Sequence, residues 1–147
     1  MKAALDTNIL AYAEGVNGAE RRDVVLELLA GARGDAIVIP AQALGELFHV
    51  LVRKAGKTRK QARDALLNWA DTFSVMDTSL EIVQVGADLA ADHRLGIWDA
   101  IILSASSRAG CRLLISEDLQ AGFTWGGVTV VDPFAKPRHA LLGALGA

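Results

Sequence analysis

The 147-residue sequence contains one cysteine, no long apolar run and no excess of positive charge. A single cysteine, Cys111, excludes an internal disulfide framework and fits a reducing cytoplasm; we expect it to be a small buried hydrophobe. The longest apolar segments, such as AIVIPA and AIILSA, are far shorter than the about 20 residues that span a bilayer. The N-terminal segment has one lysine and a short apolar stretch before an acid, unlike a signal peptide. We therefore expect a cytoplasmic protein without a membrane segment.

Several familiar motifs are also missing. There is no G-x-x-x-x-G-K-[ST] and no G-x-G-x-x-G, so nucleotide-binding loops are unsupported. No G-x-S-x-G nucleophile elbow occurs. The three histidines, His49, His93 and His139, are widely spaced and have no zinc-ligand pattern. The sequence thus offers no nucleotide loop, no serine-hydrolase elbow and no zinc site.

The net charge of −2 argues against a protein that holds nucleic acid simply by being basic. The charge is uneven, however, because the segment RKAGKTRKQAR (residues 53–63) contains six basic residues and no acid. Such a run is either a solvated turn between helices or a contact surface for an anionic polymer, where neutralised phosphates release counterions. Taken alone, this basic segment decides nothing.

Short β-rich runs alternate with helical patterns along the chain, whose length fits one domain. Strands are predicted at 2–5, 36–40, 74–77, 111–116 and 127–133. Helices are predicted from about residue 7 and over 18–33, 41–56, 59–73, 80–96 and 97–110. Strands that alternate with helices need crossover connections, which predict an α/β fold with a mostly parallel sheet sandwiched between helices.

Four acids stand beside apolar segments, where an uncompensated carboxylate costs free energy. Asp6 and Asp118 follow predicted strands, whereas Glu46 and Asp99 lie within apolar helical patterns. Each has an ordinary structural explanation, since Asp6 and Asp99 suit helix caps, Glu46 suits the polar edge of its helix, and Asp118 suits a turn. These explanations do not account for all four falling where a parallel sheet gathers its ligands, at the carboxyl ends of the strands. We therefore predict one shared acidic site.

Such a cluster must hold either protons or a cation. Two carboxylates about 4 Å apart repel by about 4 kcal/mol at an effective dielectric constant near 20. Oxygen ligands without paired histidine or cysteine indicate a hard divalent ion, Mg²⁺ or Mn²⁺. Such ions suit phosphoryl chemistry, because they neutralise the phosphate and assist an in-line displacement.

The joint pattern resembles the PIN-domain family, and most of all the VapC-type toxins of bacterial toxin–antitoxin pairs. The segments that carry this resemblance are ALDTNILAY, ALGELFHVL, IWDAIILSAS and LLISEDLQAGFTWGGVTVVDPF, in that order and spacing. The resemblance runs to about Phe134 and implies a three-layer α/β/α sandwich. It implies a single nuclease domain over residues 1–134, followed by a tail or short helix over residues 135–147.

The same resemblance implies a metal-dependent endoribonuclease whose catalytic acids are Asp6, Glu46, Asp99 and Asp118. We expect Asp6, Asp99 and Asp118 to bind Mg²⁺ or Mn²⁺, supported by the polar residues Thr7, Asn8, Ser116 and Glu117. Asp118 is favoured over its neighbour Glu117 as the ligand because it lies two residues after Ser116, as in the family's T/S-x-D pattern. The candidate RNA contacts, which match no family motif, are Arg53, Lys54, Lys57, Arg59 and Lys60.

The implied partners are an RNA substrate, a VapB-like antitoxin and a second copy of the chain in a homodimer. Two alternatives stay open. One is a PIN nuclease of general RNA processing without an antitoxin. The other is a phosphoryl-transfer α/β domain that uses Asp6 as the acceptor, although Asn8 stands where a haloacid-dehalogenase-like phosphatase has its second aspartate.

Overall fold

The computed structural model describes residues 1–147, and in it the apolar runs form the strands of a single sheet. The strands are β1 (Ala3–Leu5), β2 (Ile37–Pro40), β3 (Ser74–Met76), β4 (Leu113–Ile115), β5 (Thr124–Trp125) and β6 (Val128–Val131). The helices are α1 (Thr7–Ala13), α2 (Ala19–Gly31), α3 (Ala41–Arg53), α4 (Arg59–Thr72), α5 (Leu80–His93) and α6 (Ile97–Arg108). Two 3₁₀ segments complete the chain, Gly34–Ala36 and Ala140–Gly146.

The strand order is β3-β2-β1-β4-β6-β5, and every neighbouring pair is parallel except β5 with β6. This confirms the predicted α/β fold with a mostly parallel sheet. Strand β5 was not predicted from the sequence, because two residues are too few to show a β-type alternation. It forms a hairpin with β6 through a turn at Gly126 and Gly127, which have φ angles of 58° and 79°.

The helices cover the sheet in two groups. Helices α1 to α4 contact one another in the pairs α1–α2, α1–α3 and α3–α4, while α5 packs on α6. Right-handed crossovers place these groups on opposite faces, because the chain moves outward from β1 to β3 and then returns to β4 on the other side of β1. The inner strands are consequently buried on both faces, and every residue of β1 and β4 is fully buried.

Helix α6 supplies most of the core on its side. Residues 100–106 are all buried, as suits the apolar pattern of this segment. Cys111 is also buried in the main core, as predicted, and burial raises the pKa of its thiol to about 11. No helix combines the length and the apolar character that crossing a bilayer requires.

The 3₁₀ segment 140–146 packs against α2. Its side chains Leu142 and Leu145 join the main core, and the backbone N–H of Arg33 donates to the carbonyl of Leu145 over 2.8 Å.

The order of the strands reverses between β1 and β4. From β1 the chain proceeds to β2 on one side, and it comes back to β4 on the other side after β3. The two strands pair in register, with Leu5 opposite Ile115, so the residues that follow them, Asp6 and Ser116, emerge side by side. The fold therefore creates a crevice at the carboxyl edge of the sheet, at the switch point where open α/β sheets bind ligands.

A glycine sets the close packing of α5 on α6. A Cβ atom added at Gly86 would lie 2.9 Å from Cγ1 of Ile101 and 3.1 Å from its Cα. These distances are shorter than normal contacts, and the backbone of Ile101 cannot move aside as a flexible side chain can. Gly45 in the middle of α3 differs, since nothing lies within 4 Å of a Cβ atom added there.

Substitution of these two glycines should change stability in opposite directions. We expect Gly86→Ala to lower the free energy of unfolding by about 1–3 kcal/mol through overpacking. Gly45→Ala should raise it by about 0.5–1 kcal/mol, because alanine is the better helix former. Urea unfolding followed by circular dichroism measures both variants. If the two variants had equal free energies of unfolding, α5 and α6 would be able to move apart around the added methyl group without loss of stability, and the proposed overpacking would be wrong.

Candidate active site

Asp6 lies at the end of β1 and is the N-cap of α1. Its Oδ1 accepts a hydrogen bond from the backbone N–H of Thr7 over 2.7 Å, and its Oδ2 accepts one from the Ser116 hydroxyl over 2.7 Å. The side-chain amide of Asn8 lies 3.4 Å from the same Oδ2. The helix-cap explanation for Asp6 is thus correct, and it accounts for one of the two carboxylate oxygens.

Burial dominates the electrostatics of Asp6, which is only 3% exposed. Loss of solvent raises the pKa of this carboxyl to about 6, and the nearby charges of Asp99 and Asp118 add to the rise. The hydrogen bonds from Ser116 and Thr7 oppose it. Asp6 therefore becomes ionised in the folded protein only at a cost, which a neighbouring cation would relieve.

Glu46 is a half-buried residue of α3, and its carboxylate contacts α1, the helix that Asp6 caps. The Thr7 hydroxyl donates to its Oε2, and the side-chain amide of Gln42 donates to its Oε1 over 3.2 Å. Gln42 also donates to the backbone carbonyl of Trp98 over 3.0 Å. One glutamine thus links the Glu46 carboxylate to the first turn of α6. The sequence analysis assigned Gln42 no role, although its spacing of four residues from Glu46 on one helix places the two side by side.

Asp99 is the third residue of α6, whose cap is Gly96, so the hypothesis that Asp99 caps this helix is wrong. Its side chain is half-buried and lies close enough to Glu46 and Asp118 to feel their charges. Desolvation raises the pKa of Asp99, and the charges of Glu46 and Asp118 raise it further. Asp99 therefore belongs to the same electrostatic cluster as Glu46 and Asp118, despite coming from a different element.

The two acids that follow β4, Glu117 and Asp118, differ in their contacts. Glu117 accepts a hydrogen bond from the Tyr12 hydroxyl over 2.6 Å and forms an ion pair with Arg21. The Arg21 guanidinium in turn lies 4.5 Å from the centre of the Phe134 ring. Asp118 is exposed and has no hydrogen-bond or ion-pair partner. Glu117 thus holds its loop against Tyr12 and Arg21. Asp118 has no such partner and remains available to bind a cation.

Asn8 and Ser116 fix the backbone of this loop. The side-chain carbonyl of Asn8 accepts from the N–H of Glu117 over 3.2 Å, and the Ser116 hydroxyl oxygen accepts from the N–H of Leu119 over 3.3 Å. Both side chains also contact Asp6, so the ends of β1 and β4 are held together by side chains as well as by strand pairing.

The four acids are all oxygen donors, with no histidine or cysteine among them, which is the chemistry of a site for Mg²⁺ or Mn²⁺. In their present positions no group of three or more His, Cys, Asp or Glu side chains is arranged to hold a metal ion. Binding would therefore require the less constrained acids, the exposed Asp118 and the half-buried Asp99, to turn toward Asp6.

A groove of about 770 Å³ leads away from the acids between α1 and α3, and we refer to it as the α1–α3 groove. Glu46, Asp118 and Trp98 line its acidic end, while His49 and Lys54 line it farther along α3. Of the predicted RNA contacts, only Lys54 lines the groove. The other four, all exposed, lie in the turn and helix end nearby: Arg53, Lys57, Arg59 and Lys60.

Comparison with known proteins agrees with this architecture. The sequence profile of the PIN domain family matches residues 3–122. A toxin–antitoxin complex from Klebsiella pneumoniae has 24% identity and a TM-score of 0.67, covering 90% of this chain and 98% of that one. A sarcin–ricin-loop-cleaving VapC toxin from Mycobacterium tuberculosis has 18% identity and a TM-score of 0.65, covering 77% and 87%. A DNA-bound VapBC complex from Salmonella typhimurium has 14% identity and a TM-score of 0.65, covering 90% and 98%. At these identities the likeness is one of fold, and no curated protein sequence gives a significant match.

The raised pKa of Asp6 predicts a pH-dependent stability. Its carboxyl binds a proton more tightly in the folded protein, with a pKa of about 6, than at the ordinary value of 3.8. The cost of ionisation is therefore absent below pH 3.8 and complete above pH 6, where it amounts to about 3 kcal/mol. Asp6→Asn, which keeps a good cap residue, should be more stable than the wild type at pH 7, and the difference should vanish near pH 4.

Urea unfolding from pH 4 to pH 8 in EDTA measures this difference, since the chelator keeps stray cations away from the acids. A difference between Asp6→Asn and the wild type that stays constant over this range would contradict the assignment of the proton to Asp6.

Proposed function

The chain belongs to the PIN domain family, and on that premise we propose that it is a Mg²⁺- or Mn²⁺-dependent endoribonuclease and the toxin of a toxin–antitoxin pair. The observation that carries the proposal is that four acids, from the end of β1, α3, α6 and the segment after β4, lie around the switch point of the sheet, close enough for their charges to add to the rise in pKa that burial causes at Asp6 and Asp99. The phosphoryl-transfer alternative is less well supported, because Asp6 is buried and both of its oxygens already accept hydrogen bonds.

Asp6, Asp99 and Asp118 would hold the ion, as the family resemblance implies, and none of the three has an ion-pair partner in the chain. When bound, a divalent ion supplies charge neutralisation for the phosphate and stabilises the leaving oxygen. A cation also offsets the burial and, to a smaller extent, the repulsion between carboxylates that raise the pKa values of Asp6 and Asp99. In this way an acidic crevice accepts an anionic RNA backbone.

Glu46 would accept the proton of the attacking water. Thr7 and Gln42 donate to its two oxygens and thereby fix the orientation of the carboxylate. The water oxygen forms a bond to phosphorus while the bond from phosphorus to the 3′ oxygen breaks, and the leaving 3′ oxygen takes a proton from solvent water. The products are a 5′-phosphate and a 3′-hydroxyl, and the basic segment 53–60 beside the groove would bind flanking phosphates.

The proposed partner is a VapB-like antitoxin. Solved structures that share the fold include toxin–antitoxin complexes from Klebsiella pneumoniae and Salmonella typhimurium. We also propose a homodimer, as the family resemblance implies. These partners distinguish a toxin from a PIN nuclease of general RNA processing, which would act without an antitoxin.

Removing one acid should abolish cleavage without unfolding the protein. We expect Asp99→Asn and Glu46→Gln to lower the rate of RNA cleavage in Mg²⁺ by at least about a hundredfold, the lower range for loss of a general base. EDTA should stop the wild-type reaction, and added Mg²⁺ or Mn²⁺ should restore it. Gel analysis of end-labelled RNA measures the rate and identifies the 5′-phosphate.

Asp71→Asn is the matched control, since Asp71 is an exposed acid on α4 without an ion pair. It should cleave RNA like the wild type. Full activity of Asp99→Asn, with an unchanged circular dichroism spectrum, would contradict the proposed site.

The toxin assignment predicts an effect in cells. Induction of the wild-type gene should arrest bacterial growth, and Asp99→Asn should relieve the arrest because the cleavage is lost. Colony counts after induction measure this effect. Normal growth with wild-type protein that cleaves RNA in vitro would favour a nuclease of general RNA processing.

A further inference from the structure

The α1–α3 groove has an exposed aromatic residue at one end and a lysine at the other. We propose that it binds an unpaired RNA segment beside the scissile bond, with one base stacked on Trp98 and one phosphate paired with Lys54. This inference rests on the proposed function; it adds Trp98 as a base-stacking residue and places Lys54, already a candidate RNA contact, at the far end of the bound segment.

Trp98 is an unusual surface residue. Its side chain is 62% exposed although it directly precedes Asp99, and it lines the groove at the acidic end. Its backbone carbonyl is fixed by Gln42, the residue that also holds Glu46. The indole is thus exposed to solvent on a backbone that the site itself positions. A flat, exposed ring in this place suits stacking with a nucleobase. Any base can stack in this way, because every base has a flat π-face.

The other two tryptophans are engaged within the fold. The Trp69 indole N–H donates to Glu14 over 3.0 Å and its ring stacks on Phe73, while Trp125 is half-buried in the β5–β6 hairpin. Trp98 has no hydrogen-bond or ring partner of this kind. A bound base would supply the missing contact.

Lys54 marks the other end of the groove. It is the C-cap residue of α3, is exposed, and has no ion-pair partner within 4 Å. It lies eight residues after Glu46, which is about 12 Å along the helix at 1.5 Å per residue.

The charges along the groove run from acidic to basic. Without a cation, Glu46 and Asp118 at one end repel a phosphate but not a stacked base, whereas Lys54 attracts a phosphate at the other. The lining between them combines the small or apolar residues Gly45, Ala11 and Val50 with polar residues such as Asn17 and His49. Since stacking on Trp98 needs a base released from its pair, the groove favours single-stranded RNA over a duplex.

The first test is binding of a labelled 12-nucleotide RNA, measured by fluorescence anisotropy in EDTA so that no cleavage occurs. Trp98→Ala should weaken binding of the single strand by roughly fivefold to a hundredfold, and Trp98→Phe should retain most of the affinity. Lys54→Gln should reduce the slope of log K against log salt concentration by about 0.7. The same sequence as a duplex should bind more weakly and should not respond to Trp98→Ala.

Two control variants match these changes away from the groove. Leu80→Ala removes an apolar side chain that is 72% exposed at the start of α5, and Lys2→Gln removes an exposed lysine at the amino end of β1, opposite Asp6. Both should bind the single strand like the wild type. In Mg²⁺, Trp98→Ala and Lys54→Gln should raise KM for a cleaved RNA with a smaller change in kcat.

Unchanged single-strand binding by both Trp98→Ala and Lys54→Gln would overturn the proposal, as would equal binding of duplex and single strand. Loss of antitoxin binding in these variants, with RNA binding intact, would also overturn it and assign the groove to a protein partner. Absence of cleavage by the wild type would contradict the proposed nuclease, while the EDTA binding experiment would still decide the groove.

Discussion

The pairing of β1 with β4 is the constraint on which the candidate site depends. These two buried strands are neighbours in the sheet but are separated by more than a hundred residues in the chain. Their register brings Asp6 and Ser116 into a 2.7 Å hydrogen bond, and Asn8 bridges the two loops that follow. Because this arrangement is anchored in the core, the most buried acid is held rigidly. The other three acids then meet a fixed partner.

Around this fixed carboxylate the remaining contacts form two separate connections. One connection runs from Thr7 through Glu46 and Gln42 to the start of α6. The other runs from Tyr12 and Arg21 to Glu117 and sets the course of the loop that carries Asp118. The first connects α1 through α3 to α6, and the second connects α1 and α2 to the segment after β4. The site is therefore kept together by polar side chains whose own positions are determined by helix packing.

Sequence reasoning predicts the parts of this molecule that depend on local pattern. Apolar runs identified five of the six strands, and the helical patterns placed the starts of α4 and α5, where Thr58 and Ser79 are the cap residues. The position of four acids next to apolar segments identified the crevice. The roles of Gln42, Tyr12 and Arg21 were missed because their partners lie 56, 105 and 96 residues away, and no local pattern reports such contacts. For the same reason, the sequence alone did not show that Glu117 is already paired.

The exposure of Trp98 also has an optical consequence. An indole in water emits at longer wavelengths than one packed in protein, and its emission is sensitive to a neighbour stacked on it. Trp69 and Trp125 are half-buried, so Trp98 contributes the red edge of the intrinsic emission. The protein therefore carries a native fluorophore at the mouth of its groove, next to Asp99. Occupancy of that groove is readable from the unlabelled chain, in real time and without altering a residue.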